Sequence, residues 1–132
     1  MPTITLYAIT AAIFLILDAI MLTLVMKPLF TRHIGPMLAE PIRVLPAFLF
    51  YLGYVAGLVY LVSLPALRDA AAPIVVPALL IGLMAYGTYE FTSWAIMRDW
   101  HWTMVATDVT WGGLLTAFAA WAGVVLTRMI HG

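Results

Sequence analysis

Asp18, Glu90 and Asp108 are three of the six acidic residues in this 132-residue chain, and each lies in a run apolar enough to cross a bilayer. None of the six cations does; Lys27, Arg32, Arg43, Arg68, Arg98 and Arg128 all fall in connections or at the ends of apolar runs. Placing one unpaired charge at the centre of a bilayer costs about 2.5–3.5 kcal/mol on insertion scales. Apolar surroundings penalise the charged form of a carboxyl group, whereas a proton, a hydroxyl partner or an incoming cation relieves the penalty. The chemistry these residues could support is therefore proton exchange linked to a cation or a substrate.

Depth along the helices makes the three acids a set. Asp18 stands nine residues before Lys27, about 13 Å along a helix, and Glu90 eight before Arg98, about 12 Å. Asp108 stands six residues past Trp102, about 9 Å. All three positions count from the same face of the membrane, so helices that touch would bring the acids together. Polar and aromatic side chains fall at the same level: Tyr51 and Tyr54, Tyr86 and Tyr89, Ser93 and Trp94, Thr107 and Trp111. Asp18, Glu90, Asp108, Tyr54, Tyr86, Ser93 and Trp111 form the candidate binding set. The alternative reading is that protonated acids and hydroxyls simply hold a small bundle together, since membrane helices use such contacts as adhesive.

The elements that would position these residues are transmembrane helices. The chain is 65% hydrophobic and 9% charged, with a mean hydropathy of +1.08. Soluble domains carry about 25% charged residues. Four continuous apolar runs, about residues 3–26, 45–64, 74–97 and 103–127, each meet the ~20 residues a helix needs to cross. Their continuity excludes a β-barrel, whose strands alternate and are half as long. The expected fold is all-α, a four-helix transmembrane bundle in one domain, with two parallel two-helix units as a variant suggested by the Asp18–Lys27 and Glu90–Arg98 spacings. The first run follows no cation and precedes no small-residue cleavage site, so it reads as a retained span.

Prolines suggest where runs end: Pro28, Pro36, Pro41 and Pro46 around the first connection, Pro65 and Pro73 around the second. The first connection, from Lys27 to Arg43, is expected to be too proline-broken for a long helix. Its Lys27, Arg32 and Arg43 are candidate ligands for lipid head groups. Trp100 and Trp102 read as an aromatic belt, and Arg98 as a partner for Asp108 across the interface. The first and third connections hold four of the six cations, so the positive-inside rule places them in the cytoplasm and both termini outside.

Several classes fall away. Without cysteine there is no disulfide, thiolate metal site or cysteine nucleophile. Zero formal charge and no basic tract leave nothing for nucleic acid. His33 and His101 lack any HxxxH or HExxH spacing, so no metal and no other cofactor is expected. Expected partners are membrane lipids and a second copy of the chain, and the Gly53/Gly57 face could hold another membrane protein.

The segments LDAIMLTLVMKPLFTRHIGPMLAE (Leu17 to Glu40), YLGYVAGLVY (Tyr51 to Tyr60), AYGTYEFTSWA (Ala85 to Ala95) and TDVTWGGLLTA (Thr107 to Ala117) resemble the bacterial membrane-protein family DUF2177. The resemblance covers nearly the whole chain and implies a small four-helix inner-membrane protein. It assigns no activity, though it suggests an association with lipid-modifying enzymes. The family pattern has Asp followed by a Thr-Asn-like pair in the third span; here Glu90 precedes Thr92 and Ser93. The functional expectation is proton-linked binding or transport of a small cation or amphiphile. An enzyme or enzyme subunit modifying membrane lipids, or a structural partner of another membrane protein, are the alternatives.

Overall fold

The computed structural model describes residues 2–38 and 43–131. Glu40 and Pro41 lie outside the described residues. Among the described residues every regular element is helical, and four helices are long and apolar enough to cross a membrane: Pro2–Met37, Val44–Arg68, Val75–Ile96 and Trp102–His131.

The first begins as α1 (Pro2–Met21), passes through a π-helical turn (Leu22–Met26), and continues as α2 (Lys27–Ile34) into a closing 3-10 turn (Gly35–Met37). The second is α3 (Val44–Leu58), a π turn (Val59–Ser63) and α4 (Leu64–Arg68). The last two are α5 (Val75–Ile96) and α6 (Trp102–His131). Pro77 sits in the first turn of α5, where a missing N–H is harmless.

Two prolines expected to end helices do not. Pro28 and Pro65 each fall two residues after a five-residue π turn. A proline inside an α-helix clashes with the carbonyl four residues back and cannot donate to it. Widening the preceding turn moves that carbonyl aside, so the helix passes through. The first connection is therefore mostly helix, contrary to the expectation from its prolines, and runs to Met37 before the chain turns.

Helix α6 is the hub. Met104, Asp108, Gly112, Leu115, Ala119 and Gly123 recur every three or four residues and are all buried. Small residues let α5 approach closely: a Cβ on Gly82 would lie 2.8 Å from the Gly113 Cα, and one on Gly112 would overlap the Tyr86 ring. Helix α1 packs on another side of α6, with Leu6 and Phe14 fully buried. Phe14 meets the rings of Tyr51 and Tyr54 at centroid distances of 5.6 and 5.5 Å.

Helix α3 is held differently. Every residue from Val44 to Phe50 is exposed, and only Val55 and Leu58 of α3 are buried. Beside Gly53 and Gly57 an added Cβ would meet nothing within 4 Å. Exposed Ile16, Leu24, Phe48, Met84 and Ile96 would make a water-soluble surface liable to associate. In a bilayer, lipid solvates them.

Candidate functional site

The three acids come from α1, α5 and α6 and all are buried, Glu90 with 0% exposure, Asp18 with 3% and Asp108 with 9%. The Asp108 carboxyl belongs to the same neighbourhood as those of Glu90 and Asp18. The three acids thus all turn to the inside of the packed helices.

Each outer acid is capped by an indole. Trp111 Nε1 donates to Asp18 Oδ1 at 3.0 Å, and Trp100 Nε1 donates to Glu90 Oε1 at 3.0 Å. The second oxygen of each carboxyl, Asp18 Oδ2 and Glu90 Oε2, is buried without a hydrogen-bond partner, as is the Tyr86 hydroxyl. Tyr51 lies among Asp18, Asp108 and Tyr86. Tyr54 leans edge-on toward Tyr86, with centroids 6.5 Å apart, and shares a 3.0 Å hydrogen bond with the fully buried Thr116.

No cation joins these acids among the described residues. Lys27, Arg32, Arg43, Arg68 and Arg98 are exposed, and the Arg128 guanidinium donates to the Ala66 carbonyl. The expected Asp108–Arg98 pair is absent: Asp108 faces acids, because its side of α6 turns inward toward α1 and α5 rather than outward to the connection. Lys27 and Arg32 stand on the exposed side of α2, and Arg43 leads into α3, apart from the acids.

One assignment changes in the site itself. Trp100, expected in an aromatic belt with Trp102, is 6% exposed, whereas Trp102 is 59% exposed. It packs edge-on against Phe30 at 5.3 Å and Tyr89 at 5.7 Å while holding Glu90. Hydropathy carries no sign of which adjacent tryptophan turns inward; the nearby acid was the only available signal. Ser93 makes no side-chain hydrogen bond among the described residues; its backbone carbonyl caps α5 by accepting from Met97 N at 2.8 Å. Tyr51, outside the candidate set, joins the acids because it sits one turn before Tyr54 on the same face of α3.

His33 and His101 stack face to face, 4.3 Å apart and 10° from parallel, at the end of the bundle near Trp100. Parallel rings at that spacing do not aim their nitrogens at one point. Among the described residues no three His, Asp or Glu side chains group as ligands for one ion.

The architecture is that of a small integral membrane protein with four apolar helices long enough to cross a bilayer. The family model described as a predicted membrane protein, DUF2177, matches residues 3–125, and the chain belongs to that family. No curated protein and no solved structure matches it.

Proposed function

We propose that Asp18, Asp108 and Glu90 form a proton-exchanging binding site for a small cation or amphiphile. The observation that carries this reading is three buried carboxyl groups, from three helices, with no Lys or Arg beside them among the described residues. Adjacent carboxyl groups hold a proton between them more readily than two charges. A cation entering the site can release that proton and leave its charge unchanged. Such exchange needs carboxyl oxygens not locked into a full set of hydrogen bonds; Asp18 Oδ2 and Glu90 Oε2 make none within 3.5 Å, with the Tyr51 hydroxyl and the Asp108 carboxyl as polar neighbours.

The test is proton flux in proteoliposomes under an imposed pH gradient, with and without an organic amine outside. Wild type should show amine-dependent flux that Asp18→Asn and Glu90→Gln both lose. Equal flux in all three overturns the reading. The same proposal sets the protein in the inner membrane, with both termini outside. Because the chain has no cysteine, single cysteines introduced at the exposed Asp69 and Asp99 would label from opposite sides in intact cells.

A second reading, a structural partner, has one observation in its favour: the open space beside Gly53 and Gly57 leaves that face of α3 free for another helix. Cross-linking from this face to itself or to another membrane protein tests it. A role in lipid modification would use the neighbouring carboxyl groups as acid and base; an unchanged lipid profile in a deletion strain argues against it.

A further inference from the structure

Hydroxyls that face lipid ordinarily satisfy themselves on their own helix. Thr23 donates to the Ala19 carbonyl at 2.8 Å and Thr88 to the Met84 carbonyl at 2.7 Å; Thr92 donates to the Thr88 carbonyl. Thr107 and Thr110 on α6 break this habit. Neither makes a hydrogen bond among the described residues, and both line an open depression of about 360 Å³ on the outer surface between α1 and α6. Met21, Ala106, Trp111 and Leu114 complete its lining. The Trp111 indole is thus shared: one side borders the depression, and its N–H holds Asp18 Oδ1. Asp18 itself is 3% exposed and does not line the depression; the indole that binds it does.

We propose that this depression is a lateral binding site at which a primary alkylammonium dissolved in the membrane is held on its way to Asp18. The inference rests on the proton-exchange reading above and names its substrate class. A primary ammonium carries three N–H donors; the depression offers it the hydroxyls of Thr107 and Thr110, and Asp18 is joined to the depression through the Trp111 indole. The positive head can rest against the indole face while passing, an attraction of the cation–π kind. The alkyl tail stays outside along Met21 and Leu114, the latter 58% exposed. Charge balances simply: R–NH3+ enters, and one proton leaves the carboxyl site. A quaternary ammonium has no N–H to give the threonines, and a tail-less amine has no reason to approach from the lipid side.

The experiment measures binding of radiolabelled dodecylamine, methylamine and dodecyltrimethylammonium to the full chain in nanodiscs, with empty nanodiscs subtracted. Wild type should bind dodecylamine at least about tenfold more tightly than either comparison ligand. The double variant Thr107→Val/Thr110→Val, which keeps shape and removes both hydroxyls, should lose about that tenfold preference. Ala106→Phe, at an exposed position, should fill the depression and weaken dodecylamine without altering methylamine. Thr23→Val, at a self-satisfied lipid-facing threonine, should match wild type. If Asp18→Asn abolishes binding while both depression variants bind dodecylamine as wild type does, the lateral site is overturned and the acid site stands. Unchanged binding in Asp18→Asn overturns both. Equal binding of dodecylamine and dodecyltrimethylammonium, or a preference for methylamine, overturns the assigned substrate class.

Discussion

Glu90 and Asp18 are built alike and housed differently. Each buried carboxyl accepts one indole N–H at 3.0 Å and leaves its other oxygen unpartnered. The indole over Glu90 is itself buried, wedged between Phe30 and Tyr89 under the helical extension that carries the chain past Pro28. The indole over Asp18 is only half-buried and borders an open depression. An indole N–H therefore does two jobs depending on what lies behind it. Over Glu90 it is part of a closed core; over Asp18 it borders an open surface.

The largest effect expected from breaking that contrast is at the closed end. Trp100→Ala would remove a buried ring and leave a cavity beside an unpaired acid, costing about 3–5 kcal/mol. Thermal unfolding in detergent should show a clear drop, and Trp111→Ala a much smaller one. Near-equal losses would mean the two ends are equivalent. A gentler change separates hydrogen bond from volume. Trp100→Phe keeps most of the ring and leaves Glu90 Oε1 without its donor, costing about 1–3 kcal/mol. Trp111→Phe should cost less than that in stability and should speed amine exchange at Asp18, read by dissociation kinetics in nanodiscs. The smallest effect sharpens the picture from outside the site. Gly57→Ala meets open space and should shift stability by no more than about 0.5 kcal/mol. Gly112→Ala, whose Cβ would overlap the Tyr86 ring, should cost about 1–3 kcal/mol in the same assay. Parity between those two glycines would mean that α3 packs as tightly as α5.

Much of this was legible before any coordinates. The apolar runs located all four helices, and counting residues from their charged ends set the three acids at one depth. The misreadings share a cause. Pro28 and Pro65 looked like stops because proline forbids the regular hydrogen bond; that a π turn two residues earlier would absorb the clash depends on packing around each turn. Trp100 looked like a belt residue because adjacent tryptophans at a membrane surface have the same composition whichever way they point. Arg98 looked like a partner for Asp108 because reach along the chain says nothing of which side of α6 faces the core.

Composition and spacing alone determined that this chain belongs in a bilayer as helices, and that its inner acids would meet no cation from their own helices. Both follow from one-dimensional quantities, hydrophobic length and rise per residue. Only the tertiary structure decided that Asp18, Glu90 and Asp108 are all buried, that one indole is sealed and the other borders a depression, and that Thr107 and Thr110 line that depression without hydrogen bonds. Those outcomes depend on helix rotation and on what each neighbour covers, and a linear pattern that repeats every 3.6 residues leaves both free until the helices pack.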